Sequence, residues 1–124
     1  MAASSAGLHE PEDRLSAEVI DEHRAVVSIM EELEAVDWYR QRAEATVDPE
    51  LAAILVHNRD EEKEHAAMVL ERLRRRDPVL DEHLRTYLFT AGSILEREAQ
   101  AELADAAAPA VGSLGIGDLR NRGS

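Results

Sequence analysis

Two long segments with apolar residues at helical spacing, joined by a short connection, place the strongest limit on what this chain can fold into. The first runs over 15–45 and the second over 49–76. Between them, Asp48 can cap a helix and Pro49 suits the first helical position. A connection this short makes consecutive helices antiparallel neighbours. The sequence therefore predicts an all-α fold built on an antiparallel two-helix hairpin.

Composition excludes several other classes of protein. One Trp, two Tyr and one Phe in 124 residues are too few aromatic residues for a β-sandwich core. A net charge of −12 disfavours nucleic acid and anionic membrane surfaces as partners. With no cysteine, there can be no disulfide or metal-thiolate site. Any metal must be bound by oxygen and nitrogen atoms.

The sequence was also compared with the patterns of membrane spans and secretory signals, and it matches neither. The longest uncharged apolar run before residue 100, Leu51–Val56, is far shorter than the roughly 18 residues of a membrane span. The first seven residues have neither the cationic region nor the apolar core of a secretory signal. We expect an intracellular, soluble protein.

The chain divides into four parts by composition. Residues 1–13 are small and polar and are expected to be a flexible N-terminus, followed over 14–90 by the hairpin and a short third helix from about Val79 to Thr90. Residues 91–110 are rich in alanine and glutamate and are interpreted as a variable linker, loosely docked. Residues 111–124 form a glycine-rich tail that nevertheless carries regularly spaced apolar residues.

One face of the second helix carries ionisable residues where a core is expected. Asn58, Glu62 and His65 occupy the middle of a stripe that is apolar at both ends. Burying a carboxylate and an imidazole there costs several kcal/mol unless something compensates. Glu32 interrupts an apolar row on the first helix in the same way. A hydrogen-bonded Glu62–His65 pair on a partly exposed rim is the simpler alternative.

Ferritin-like di-iron bundles use one Glu from each of two helices and a Glu-x-x-His motif from each of the other two. This chain has one lone Glu32 and one Glu62-x-x-His65, which is half of that set. Two copies would supply four carboxylates and two imidazoles, so the hairpin is expected to dimerise into a four-helix bundle. Four negative charges would balance two ferrous ions, and oxygen donors with one imidazole per metal suit iron or manganese.

Long blocks of the sequence are similar to the encapsulated ferritins. The blocks are Met30–Tyr39, His57–Ala66 and His83–Thr90, and the resemblance extends over about His23–Thr90. Independently, Gly112–Arg120 resembles the cargo-loading peptide that docks such enzymes inside encapsulin shells.

The resemblance implies a fold, a homo-oligomer and a site. Two hairpins would pair into a ferritin-like four-helix bundle, and dimers would form an open ring of ten chains that stores no mineral itself. A di-iron centre would be ligated by Glu32, Glu62 and His65 of two chains, with Tyr39 hydrogen-bonded nearby. A cation entry site would be formed by Glu31 and Glu34, with Trp38 near that path.

The implied function is a ferroxidase that oxidises Fe(II) with dioxygen as co-substrate and supplies iron to an encapsulin nanocompartment in a bacterial or archaeal cytoplasm. Docking on the shell would use Leu114, Ile116 and Leu119, and Asp118 stands where the peptide usually has a small hydroxyl residue.

Three alternatives remain open at this point. The first is a non-catalytic module for metal-dependent assembly or iron buffering, and the second is a purely structural hairpin. The third, a hemerythrin-like site at His57, Glu61 and His83, is disfavoured because too few histidines converge.

Overall fold

All regular secondary structure is helical in the computed structural model, which describes residues 6–107. A short 3-10 turn, Glu12–Arg14, precedes four α-helices: α1 Ala17–Ala45, α2 Pro49–Arg76, α3 Pro78–Tyr87 and α4 Ile94–Ala107. The all-α prediction is confirmed. Within these described residues, no helix has both the length and the apolar character needed to cross a membrane.

The chain divides into two units, Met1–Leu73 and Arg74–Ser124. The first contains α1 and most of α2, and the second contains the end of α2 with α3 and α4. The tail residues Leu114, Ile116 and Leu119, with Asp118, lie outside the described residues.

Both long helices begin at a side-chain cap. Ser16 Oγ accepts a hydrogen bond of 3.1 Å from the Val19 backbone N–H at the start of α1. At the start of α2, Asp48 Oδ1 accepts from the Glu50 backbone N–H at 3.0 Å. Each cap satisfies a backbone donor that has no partner within the helix. The predicted restart of the helix at Asp48-Pro49 is thereby confirmed.

Helices α1 and α2 are antiparallel within the first unit. Ala25, in the first half of α1, and Val69, in the last third of α2, line the same surface depression. Counting seven residues forward from Ala25 reaches Glu32, and counting seven back from Val69 reaches Glu62. Equal steps along antiparallel helices cover equal lengths, about 10 Å each. Glu32 and Glu62 therefore lie at the same level of the hairpin.

The hairpin has almost no interior of its own. Among the described residues, Ala66 is the one apolar residue that is buried, with 6% of its surface exposed. On α1, four large apolar residues at helical spacing remain exposed: Val19, Val26, Met30 and Leu33. On α2, Leu51, Ile54 and Met68 remain exposed as well. Two helices can cover only one face of each other, so a second apolar stripe is left accessible on α1.

The first residues of the described chain contact α1. His23 Nε2 donates a hydrogen bond of 2.8 Å to the Ala6 carbonyl. The Glu12–Arg14 turn follows before α1 begins. Part of the lead-in that was expected to be flexible therefore has defined contacts in the structure.

In the second unit, α3 is held at its start by Asp77 and at its first turns by Asp81. Asp77 Oδ1 accepts from the backbone N–H groups of Val79 and Leu80, both at 3.0 Å. Asp81 accepts hydrogen bonds from the guanidinium groups of Arg74 and Arg85. The hydrogen bond from Arg74 is the main cause that lowers the pKa of Asp81 below its usual value.

Two boundaries in the second unit differ from the sequence-based prediction. Helix α3 ends at Tyr87 rather than near Thr90, because the backbone of Leu88 is extended (φ −72°, ψ 147°) and that of Phe89 is left-handed, with φ of 59°. The segment interpreted as a variable linker contains α4, which begins where Ser93 Oγ accepts from the Glu96 backbone N–H at 3.2 Å. Alanine and glutamate are strong helix formers, which accounts for this helix. Helix α4 contacts α3.

Candidate metal centre

Glu32 on α1 has a buried carboxylate oxygen without a hydrogen-bond partner. Its residue is half-buried, and its Oε2 atom is inaccessible and has no hydrogen-bond partner among the residues that the structure describes. A buried carboxylate oxygen without a partner is costly, since it has lost its water and gained nothing in return. The atom is therefore suited to accept a cation.

Glu62 and His65 are brought together one turn apart on α2. Glu62 Oε2 lies 3.6 Å from His65 Nδ1, a distance too long for a strong hydrogen bond. The Glu62 side chain is 27% exposed and that of His65 is 46% exposed. The side chain of Glu62 is thus more covered than the imidazole of His65. Both the carboxylate and the imidazole keep lone pairs for a metal.

A single chain does not assemble a metal site from the residues that the structure describes. Within residues 6–107, no three histidine, aspartate or glutamate side chains lie close enough to hold a metal ion together. Counted along the two helices, Glu32 and the Glu62–His65 pair come at the same level of the hairpin, and their donors are ones that iron accepts. The donor set fits iron chemically, and it is incomplete in a single chain.

The residues expected near an entry path are exposed. Glu31 and Glu34 lie on the accessible side of α1, and the Trp38 residue is 48% exposed. Tyr39 is half-buried. The predicted hydrogen bond from Tyr39 to a metal ligand is not among its contacts with the described residues.

Arg42 is a neighbour of this region that the sequence analysis missed. Its guanidinium carbon lies 5.9 Å from the centre of the Trp38 ring and 5.7 Å from that of Tyr39. These distances are those of cation–π contacts. Arg42 follows Tyr39 by three residues and Trp38 by four, and this helical spacing could have indicated the contact from the sequence.

The histidines of the hemerythrin-like alternative belong to different helices, α2 and α3. His57 Nε2 lies 2.9 Å from Glu61 Oε1, with both side chains more than half exposed. His83 is exposed on α3, in the second unit. His57 and Glu61 thus form an ordinary exposed pair on α2.

Comparison with known proteins places the chain in a family. A family model described as EncFtn-like matches residues 7–91. The chain is 59% identical over 129 residues to an "Encapsulated ferritin-like protein" of Rhodospirillum rubrum, covering 97% of this chain and 92% of that protein. It is 56% identical over 90 residues to a "Ferritin-like protein" of Thermotoga maritima, covering 73% of this chain and 79% of that protein.

A solved structure agrees with the fold. The crystal structure of protein ne0167 from Nitrosomonas europaea has a TM-score of 0.70 and 60% sequence identity to this chain. The match covers 71% of this chain and 97% of that one. The resemblance noted from the sequence is thereby confirmed, and the chain belongs to the EncFtn-like family of encapsulated ferritin-like proteins.

Proposed function

We propose that the protein is a ferroxidase whose Fe(II) substrate binds at a di-iron site formed between two copies of the chain. The observation that carries the proposal is the unpartnered, inaccessible Oε2 atom of Glu32 at the level of the Glu62–His65 pair. In a structural ion-pair network, each buried carboxylate would have a partner within the chain. Glu32 has no such partner for its Oε2 atom, and a bound cation would compensate for the buried negative charge.

The ligand set determines which cations suit the site. Glu32 and Glu62 offer hard oxygen donors and His65 offers one imidazole nitrogen, a combination that favours iron or manganese over metals that prefer thiolates. Two Fe(II) ions each give one electron, and dioxygen takes up those electrons. The residues of this chain hold the substrate ions close together, and their negative charge favours the more highly charged ferric product.

A second copy of the chain would complete the site. Two chains would bring four carboxylates and two imidazoles, the set used by ferritin-like bundles. The exposed apolar residues of α1 and α2 supply a surface for this pairing, since large accessible apolar patches are unusual on monomers. The proposed assembly is a four-helix bundle of two hairpins, with dimers arranged in a ring of ten chains.

Encapsulation is the second part of the proposal. One relative bears the name "Encapsulated ferritin-like protein", and another, 42% identical over 52 residues, is the "Encapsulin nanocompartment cargo protein EncC" of Myxococcus xanthus. We infer that this chain is likewise cargo of an encapsulin shell in a prokaryotic cytoplasm. Docking would use Leu114, Ile116 and Leu119 of the tail, and the oxidised iron would be mineralised inside the shell.

Oxygen uptake tests the catalytic role. Fe(II) is added without oxygen to full-length, metal-free protein, and oxygen is then admitted while its concentration and the ferric absorbance are followed. We expect uptake far above the buffer rate and proportional to protein, and inhibition by Zn(II), which accepts the same ligands and has no redox chemistry. Tight Fe(II) binding without added uptake would favour the buffering or assembly alternative. Absence of Fe(II) binding would favour the purely structural hairpin.

Assembly is expected to respond to iron. Without a cation, pairing two hairpins brings four carboxylates together, whereas two ferrous ions neutralise them. Sizing chromatography at low protein concentration should therefore give larger species with Fe(II) than with a chelator. Glu32→Gln removes one negative charge per chain and should assemble more readily than the parent without iron. The exposed control Glu44→Gln should behave as the parent. Identical mass distributions under all conditions would contradict this linkage.

A further inference from the structure

A depression of about 370 Å³ lies between α1 and α2, and none of its lining residues belongs to the proposed iron site. Ala25 and Val69 contribute its apolar lining, and they are seven residues along their helices from Glu32 and Glu62. That spacing is about 10 Å at 1.5 Å per residue. The depression is thus separate from the iron site and close to it. Its remaining lining residues are polar: Asp21, Arg24, Ser28 and Arg72.

The polar lining carries a local excess of positive charge in a chain of net charge −12. Asp21 Oδ1 pairs with Arg24 Nη1 at 2.8 Å, and this pair cancels one of the two guanidinium charges. Ser28 Oγ donates to the Arg24 carbonyl at 2.8 Å, so its proton is already used. The net charge of the lining is that of Arg72, which is positive.

The guanidinium group of Arg72 lacks a hydrogen-bond acceptor in this depression. The residue is half-buried, and no ion pair or hydrogen bond joins its side chain to another side chain within residues 6–107. A half-buried guanidinium with no acceptor loses hydration without compensation. Its planar donor fork matches the oxygen atoms of a phosphate or carboxylate group. An oxyanion is a partner that suits this donor fork.

We propose that this depression binds a small oxyanion, and that inorganic phosphate is the ligand. Arg72 is the main donor, and Arg24 is a second donor whose guanidinium is shared between Asp21 and the anion. The volume exceeds that of one phosphate with several waters, so access needs no rearrangement of the helices. Binding of phosphate does not depend on the proposed iron chemistry.

The use of the bound phosphate rests on the proposed function. Ferric ions bind phosphate oxygens strongly, since both partners are hard and oppositely charged. Phosphate held about 10 Å from the level of Glu32 and Glu62 would be available to the ferric product as it leaves the site. The depression would thereby supply the anion of the mineral that the oxidised iron enters.

Isothermal titration of full-length, metal-free protein with inorganic phosphate, at constant ionic strength, tests the binding. Arg72→Gln should weaken phosphate binding at least about tenfold, the lower range for loss of a charge-assisted hydrogen bond. Asp21→Asn should strengthen it, because the competing carboxylate is removed. Arg40→Gln, an equal loss of charge at an exposed position on α1, should leave the affinity unchanged. Helicity measured by circular dichroism confirms that each variant is folded.

The opposite signs expected for Arg72→Gln and Asp21→Asn separate a binding site from damage to the fold. No phosphate binding by the parent at millimolar concentrations, or equal affinities for the parent and Arg72→Gln, would overturn the proposal. So would a change of assembled mass in Arg72→Gln with phosphate affinity unaltered, because Arg72 would then pair with an acidic group of another copy. Glu32→Ala should keep the phosphate affinity, so failure of the ferroxidase proposal leaves this test intact.

Discussion

Replacing Glu32, Glu62 or His65 with alanine, one at a time, is expected to reduce the initial rate of Fe(II) oxidation by more than about 100-fold. Loss of a group that merely supports a metal ligand costs about 10–100-fold, and each of these changes would remove a ligand from both chains of the proposed symmetric site. The measurement is oxygen uptake after Fe(II) addition, with the assembled mass determined on the same sample.

A matched control distinguishes ligand loss from loss of charge. Glu44→Ala removes one carboxylate from the exposed last turn of α1 and should leave the oxidation rate within about twofold of the parent. Metal-free Glu32→Ala should melt no lower than the parent, because its Oε2 atom makes no hydrogen bond in the described chain. A near-parental rate in an assembled Glu62→Ala or His65→Ala variant would remove that residue from the proposed ligand set.

Deleting 111–124 is expected to abolish co-assembly with an encapsulin shell and to leave ferroxidase activity unchanged. The tail carries Leu114, Ile116 and Leu119 among glycines, a pattern suited to an extended segment that places apolar side chains in shallow pockets of a partner. Many tails on one ring would face many shell sites, so weak individual contacts add up to stable loading. Co-expression with a shell protein, isolation of particles and quantitation of cargo give the readout.

Point variants sharpen the test of the tail. Replacing both Leu114 and Ile116 with serine should lower loading as the deletion does, whereas Asp118→Ser restores the small hydroxyl residue usual in such peptides and should load at least as well as the parent. Normal loading of the truncated chain would refute the targeting role. A truncated chain without oxidation activity would show that the tail contributes to the site.

The hairpin was predictable because its signals are local. Asp48 and Pro49 lie at the start of α2, and an acidic cap followed by proline has few other interpretations. The sequence also indicated Glu32, Glu62 and His65, since each interrupts an apolar row. Its expectation that these residues are buried in a core holds only in part, because two helices alone have no interior and His65 remains 46% exposed.

Features that depend on backbone conformation or side-chain stacking were not predictable in the same way. The end of α3 at Tyr87 follows from the extended backbone of Leu88 and the left-handed backbone of Phe89, which no apolar pattern indicates. The contact of Arg42 with Trp38 and Tyr39 belongs to neither an apolar row nor a metal-ligand spacing, so neither pattern indicates it. Helix α4 had a signal in its alanine content, which the interpretation as a linker undervalued.

Ala66 is the one buried apolar residue within residues 6–107. This bears on how the chain reaches its stable form. The hydrophobic contribution to stability scales with the apolar surface removed from water, and one alanine supplies little of it. Under the proposed assembly, most of that contribution comes from surfaces of other copies. Folding and association then become a single equilibrium governed by mass action, with a melting temperature that rises with protein concentration.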